Sequence, residues 1–458
     1  MRYISTRGKG ESLSFTDTIL TGLARDGGLF IPESFPTVTD RLEAWSKLDY
    51  QDLAFEIIRL FADDIPEKDL RDIIARSYAS FRQPEITPVK AVGPLFILEL
   101  FHGPTFAFKD VALQFLGNLF GYVLSKTGRE MNIVAATSGD TGSAAIYGVE
   151  GKERIRIFVM HPKGRVSPIQ ERQMTSVLSP NVHNIAVEGT FDDCQDIVKA
   201  LFNDLDYRDR CHLGAVNSIN WARVLAQVVY YFYAAFRVQR MTGKKRVAFT
   251  VPTGNFGDIF AGYVAYRMGL PVDRLITATN ENDILARFFA TGTYSAGTVA
   301  PTLSPSMDIQ VASNFERYLY YIAGGDTAKL TRWMTDFRKT GSLTPDSPGD
   351  PVMAGGRGDT PSTLAAINNY WRKYHYLLDP HTAVGVSVAE QHLDDAVPMI
   401  CLATAHPAKF GEAVIQAVNE DLAHHPLLDA LLDKPVRCVT LPASTSEIGA
   451  FIEKTIRA

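Results

Sequence analysis

The stretch His102-Gly-Pro-Thr-Phe-Ala-Phe-Lys109-Asp110 decides how this chain is read. Before it, Leu95-Phe-Ile-Leu-Glu-Leu-Phe101 is apolar enough for a buried strand. After it, Val111, Phe115, Leu119 and Val123 recur at helical spacing, with Leu116 and Phe120 beside them. Lys109 is thus set between an apolar strand and an apolar helix, flanked by Phe106 and Phe108. An ammonium there is costly unless its surroundings tune the charge away. The simplest chemistry that uses such a lysine is a Schiff base with a carbonyl cofactor, pyridoxal phosphate above all. Taken alone, the segment is equally compatible with a plain lysine at a helix start, its amine in solvent.

Two glycine-rich turns tip the balance. Thr137-Ser-Gly-Asp-Thr-Gly142 follows the short apolar strand Ile133–Ala136 and opens a small-residue helix at Ser143–Tyr147. The strand Ile155–Val159 comes next. Free amides at such a helix start, with the helix dipole behind them, form an anion site, and Ser138 and Thr141 add hydroxyls. Pro252-Thr-Gly-Asn-Phe-Gly-Asp258 follows the strand Val247–Val251 and precedes the helical run Ile259–Met268. Its two glycines let the backbone approach a ligand, and a phosphate, which accepts from several amides, suits it better than a carboxylate. Each turn by itself is also an ordinary strand-to-helix connection. A third segment, Cys401-Leu-Ala-Thr-Ala-His-Pro-Ala-Lys-Phe-Gly411, places Thr404 at a strand end. Ligands bind at the carboxyl ends of strands in open parallel sheets, so Thr404 is placed to meet a ring nitrogen.

Composition narrows the class. A chain of 458 residues suggests roughly three domains. Hydrophobic residues at 46% with 21% charged suit a globular core, and a net charge of −5 with scattered basic residues leaves no nucleic-acid footprint. The start Met1–Gly8 has no apolar signal region, and no apolar run is long enough to span a bilayer. The 4 cysteines lie far apart, without metal spacing, and are expected to be reduced and structural. No Walker loop, dinucleotide fingerprint or paired-histidine zinc motif is present. His424-His425 is expected at the surface. Residues 1 to about 85 read as helices with short extended pieces. The stretches Gly341–Pro351 and Ala354–Asp359 read as flexible loops.

HGPTFAFKD, SGDTGSAA, NSINWAR (Asn217–Arg223), PTGNFGD, DPHTAVG (Asp379–Gly385) and ATAHPAKF resemble, in order and close to wording, the threonine synthase family. Tyr3–Gly8 and Leu23–Pro32 look like that family's extra N-terminal module, and the likeness runs nearly end to end. The chain departs from the family at Phe106, where the family favours Leu. The resemblance implies an α/β fold-type II pyridoxal phosphate enzyme, tryptophan synthase β-like. It would have two open α/β lobes plus an N-terminal module over 1–85 and a catalytic domain over 86–458. The smaller, mobile lobe is expected at about 111–220, with the remainder in the larger lobe.

The implied reaction converts O-phospho-L-homoserine and water to L-threonine and phosphate by γ-elimination and β-addition of water, the last step of threonine biosynthesis. Lys109 is expected to hold the cofactor and act as base. Gly254, Asn255, Phe256, Gly257 and Asp258 are expected around the cofactor phosphate, with Thr404 as a neutral partner of the pyridine nitrogen. Ser138, Asp140, Thr141, Asn217 and Arg223 are expected to receive the substrate. Its phosphate needs a second anion site, for which Lys163, Arg165, Arg223 and Ser304–Ile309 are candidates. No metal is expected. The partners are expected to be small molecules in the cytoplasm, with no nucleic acid and no membrane; oligomeric state has no sequence signature.

Overall fold

A computed structural model of the chain describes residues 1–347 and 349–457. Its larger sheet runs Met353–Arg357, Val272–Thr279, Val247–Pro252, Met399–Ala403, Leu95–Glu99, Val89–Val92. Neighbours are parallel except the final hairpin pair. Val247–Pro252 and Met399–Ala403 are buried along their whole length, as strands covered on both faces must be. The smaller sheet is all parallel, in the order Val439–Pro442, Val182–Glu188, Ile155–Pro162, Met131–Ala136, Leu213–Gly214. Its outer strand and the helix Thr445–Arg457 come from the C-terminal end of the chain, a membership the sequence did not reveal.

The pairing that makes the site is long-range. Ile400 lies opposite Phe96 and Ala403 opposite Glu99. Both strands therefore end side by side, and the segments beginning at Leu100 and Thr404 leave the sheet at the same edge. The helix Lys109–Thr127 is buried around most of its circumference and packs on the helix Asp140–Val149. The approach is close enough that a Cβ on Gly117 would overlap the Gly148 carbonyl, and one on Gly148 would sit 2.5 Å from the Leu113 carbonyl.

At the N-terminal end, the helices Tyr50–Ile58 and Glu67–Tyr78 pack on Trp221–Thr242 and Lys109–Thr127 respectively. Buried Arg317 donates to the Phe30 carbonyl at 2.8 Å and the Ile219 carbonyl at 2.6 Å, tying the strand Phe30–Pro32 to the core. Asn220 Nδ2 donates to the Ile19 carbonyl at 2.8 Å.

One expectation is corrected. Ala354–Asp359, expected as a flexible loop, contributes the edge strand Met353–Arg357. Its glycines serve packing: a Cβ on Gly355 would lie 2.9 Å from Ala286 Cα, and one on Gly356 2.5 Å from Val388 Cγ1. As expected, His424 is exposed, and His425 is partly so, its ring packed 4.5 Å from that of Phe106. The stretch Gly341–Pro351 includes Pro348, which lies outside the described residues. Among the described residues, no helix is long and apolar enough to cross a membrane, and no cluster of metal-ligating side chains occurs.

Candidate active site

The turn after Glu99 folds over a buried carboxylate. Asp110 accepts from the Thr105 amide and hydroxyl, both at 2.7 Å. Burial raises its pKa to about 6, against those hydrogen bonds. Gly103 is required where it stands, because a Cβ would come within 2.4 Å of Asp110 Cβ. The chain then runs antiparallel to the segment after the strand Met399–Ala403. Phe108 donates to the Thr404 carbonyl at 2.8 Å, and His406 donates to the Phe106 carbonyl at 3.0 Å. The next residue is Lys109, the first of its helix.

Lys109 is buried, with its Nζ 5.1 Å from the centre of the Phe108 ring and 3.4 Å from Asp140 Oδ2. Burial lowers its pKa; Asp140 opposes that shift, while the cations of Lys409 and Arg223 add to it. Asp140 itself is shared. Its Oδ1 lies 2.6 Å from Lys409 Nζ and accepts from Gln170 Nε2 at 2.8 Å. Burial disfavours its charge, yet the ammonium groups of Lys409 and Lys109 outweigh burial and hold the carboxyl well below the usual range. The Asp140 side chain expected to meet substrate is thus engaged by two lysines.

The turn containing Asp140 is braced from within. Thr137 Oγ1 accepts from the Gly139 and Gly142 amides at 3.0 and 2.9 Å. The amides of Ser138, Asp140 and Thr141 find no acceptor among the described residues. Ser138 is exposed and Thr141 half-buried, both at the open side of the turn.

The second turn is opener still. From Gly254 through Asn255, Phe256, Gly257 and Asp258 to Ile259, no amide finds an acceptor among the described residues. Phe256 takes a left-handed conformation at φ 64° and buries its ring against Phe315 at 5.2 Å, so only its amide faces the turn. A Cβ on Gly254 would lie 2.7 Å from the Ser306 carbonyl. The Asp258 side chain is engaged by tyrosines: Oδ1 accepts from Tyr230 and Tyr231 at 2.5 and 2.9 Å. Burial pushes its pKa up to about 6, against the tyrosine hydrogen bonds.

Thr404 follows its strand directly. Its amide donates to Thr382 Oγ1 at 3.1 Å, and the hydroxyl of this largely buried residue makes no hydrogen bond among the described residues. Thr382 in turn donates to Asp379, whose Oδ1 also lies 3.0 Å from His381 Nδ1. His381 Nε2 accepts from the Ser306 amide at 3.2 Å. The motif Asp379–Thr382 thus links the Thr404 segment to the loop over Gly254, a scaffold role the sequence reading did not assign.

Among the basic candidates, Lys163 and Arg165 are exposed, and Lys163 pairs with Glu188 at 3.1 Å. Arg223 is only 6% exposed and donates to the Val216 carbonyl at 3.1 Å, with no carboxylate partner among the described residues. Burial lowers its pKa to about 10. Asn217 is exposed and its side chain makes no hydrogen bond among the described residues. In the Ser304–Ile309 loop, Asp308 accepts from Asn280, Asn282 and Thr302 within the loop region.

Comparison with known proteins identifies the family. Residues 2–78 match the family described as threonine synthase N terminus. Residues 83–335 match the pyridoxal-phosphate dependent enzyme family, and 382–452 the threonine synthase C-terminal family. The chain is 47% identical to a threonine synthase of Schizosaccharomyces pombe over 95% of this chain and 94% of that protein. It is 46% identical to one of Pseudomonas aeruginosa over 99% and 98% respectively. A crystal structure of PLP-bound threonine synthase from Brucella melitensis superposes with a TM-score of 0.95 at 44% identity, covering 100% of both chains.

Proposed function

The chain belongs to the threonine synthase family and is a pyridoxal phosphate-dependent lyase that forms L-threonine and phosphate from O-phospho-L-homoserine and water, and from that premise we propose how its residues divide the work. The polar groups of the site fit the cofactor. The run of free amides from Gly254 to Ile259 opens a helix and suits a phosphate dianion. The unpartnered Thr404 hydroxyl suits a ring nitrogen, and Lys109 is a buried amine. Bound there, pyridoxal phosphate supplies an electron sink for negative charge developing on the substrate carbons.

Lys109 Nζ would hold the cofactor covalently, and it is the group placed to take the proton from the substrate Cα and to move protons at Cβ. Burial and the nearby cations favour its neutral form, which this role needs. The Thr404 hydroxyl would meet the ring nitrogen as a neutral partner, where a carboxylate would hold the ring protonated. The amides of Ser138, Asp140 and Thr141 bind the substrate carboxylate. Arg223, a buried cation without an acid partner, binds the substrate phosphate better than exposed Lys163 or Arg165 can. The backbone clamp from Phe108 to Thr404 carries this reading, because it holds the buried amine and the free hydroxyl on two adjoining segments.

Widely spaced, unpaired cysteines support a cytoplasmic working place. Phosphate release is measured with O-phospho-L-homoserine and phosphoserine, and ammonia release with threonine. Turnover of the first by at least two orders of magnitude over the others is expected. Preference for phosphoserine or threonine contradicts the substrate assignment.

A further inference from the structure

Lys409 has no part in the division of work above, yet it is among the most enclosed charges in the chain, at 2% exposure. Its Nζ lies 2.6 Å from Asp140 Oδ1 and donates to the Thr105 carbonyl at 2.9 Å. The other oxygen of the same carboxylate lies 3.4 Å from Lys109 Nζ. One buried carboxylate therefore stands between two buried lysines. The charged groups facing Lys109 are Asp140, Lys409 and Arg223, and Asp110 also feels Lys409.

The charge count gives Lys409 a task. With Lys109 neutral, Asp140 and Lys409 form a balanced pair. With Lys109 protonated, the three groups carry a net positive charge in a buried place, and Arg223 adds another. Remove Lys409, and the balance reverses: Asp140 is then compensated when Lys109 is protonated. Lys409 thus favours the unprotonated nitrogen at Lys109, although the two lysines share no hydrogen bond.

The same contact crosses the site. Asp140 opens a helix of the smaller sheet, whereas Lys409 and Thr105 lie on segments leaving the larger one. Gln173, from the helix Pro168–Thr175, adds a second crossing by donating to the same Thr105 carbonyl at 3.0 Å.

We propose that Lys409 is a positioning residue for the reaction: it occupies the Asp140 carboxylate so that the Lys109 nitrogen is kept unprotonated, whether free or joined to the cofactor, and it clasps the two sheets across the active site. This rests on Lys109 as cofactor anchor and base.

The test is a pH titration of the visible absorption of the holoenzyme in Lys409→Met, Lys409→Arg, Asp140→Asn and the double variant Asp140→Asn/Lys409→Met, with kcat and thermal midpoints alongside. In Lys409→Met the spectral midpoint moves alkaline by about one pH unit or more, because the Asp140 charge acts on Lys109 alone. In Asp140→Asn it moves the opposite way. Lys409→Arg and the double variant stay near wild type. An unmoved midpoint in Lys409→Met, with only its thermal midpoint lowered, overturns the proposal and leaves Lys409 a structural ion pair. Should Lys409→Met fail to fold, Lys409→Gln takes its place: an alkaline shift supports the proposal and no shift overturns it. A pyridoxyl group found on another lysine after reduction of the wild type contradicts the Lys109 reading itself, a result separate from any of these shifts.

Discussion

Phe108 donates its amide to the Thr404 carbonyl at 2.8 Å, although the two residues are nearly three hundred positions apart. The contact follows from strand pairing: Leu95–Glu99 lies beside Met399–Ala403, and the chain leaves both at one edge. Lys109 and the Thr404 hydroxyl are therefore set by one backbone clamp, and substitutions on either side should be felt at the cofactor.

Thr404→Asp places a carboxylate where a hydroxyl now stands without a partner. The visible spectrum should change and kcat should fall by about 10-fold or more, since an acid favours the protonated ring. Thr404→Ser should stay close to wild type in both. Absorption spectra with steady-state rates check this, and an unaltered spectrum in Thr404→Asp would reduce Thr404 to a strand-end hydroxyl.

Arg223 separates binding from stability. Arg223→Met removes a buried cation that has no acid partner, so the thermal midpoint should hold or rise. Its kcat/KM for O-phospho-L-homoserine should fall by about 10–200-fold, the worth of a charge-assisted hydrogen bond of about 1.5–3 kcal/mol. Loss of stability with kcat/KM intact would place the substrate phosphate elsewhere.

Gly254→Ala tests the cradle. The added methyl would sit 2.7 Å from the Ser306 carbonyl, a backbone atom held by the hydrogen bond from the Ser306 amide to His381. Overpacking of this kind costs about 1–3 kcal/mol. Cofactor affinity, followed by equilibrium dialysis, should weaken more than the thermal midpoint of the cofactor-free protein. Unchanged affinity would remove this turn from the cofactor site.

Asp258 gives a pH signature. Burial raises its folded pKa to about 6, above the unfolded value. Between those two values the folded state binds the extra proton, so this group's contribution to stability declines as pH rises from about 4 to 6. The accumulated cost is on the order of 2–3 kcal/mol above that window. Asp258→Asn should flatten that part of the stability curve. Chemical denaturation at closely spaced pH values measures it, and identical slopes in both proteins would refute the assignment.

Much of this site was legible because its residues sit against strong patterns. Lys109 stands out between Leu95–Phe101 and the apolar helix face, and Thr404 falls at the end of a short apolar strand. What escaped was whatever depends on distant partners. Nothing near Val439 announces that it will extend a sheet built mainly from residues 131–214. Ala354-Gly-Gly reads as loop because glycine weakens a strand, yet close neighbours at Ala286 and Val388 demand it. By spacing Asp258 was expected at a phosphate-binding turn, but its side chain is held by the tyrosines of a helix that the motif does not show. Lys409 lay in plain view in ATAHPAKF; only the fold brings Asp140 to it.

The central claim is that Lys109 carries the cofactor. Borohydride reduction of the yellow holoenzyme, proteolysis and mass spectrometry locate the pyridoxyl group directly. The expected result is a single modified peptide containing Lys109, with loss of the visible band. A pyridoxyl group on Lys409, or on any other lysine, would contradict the account.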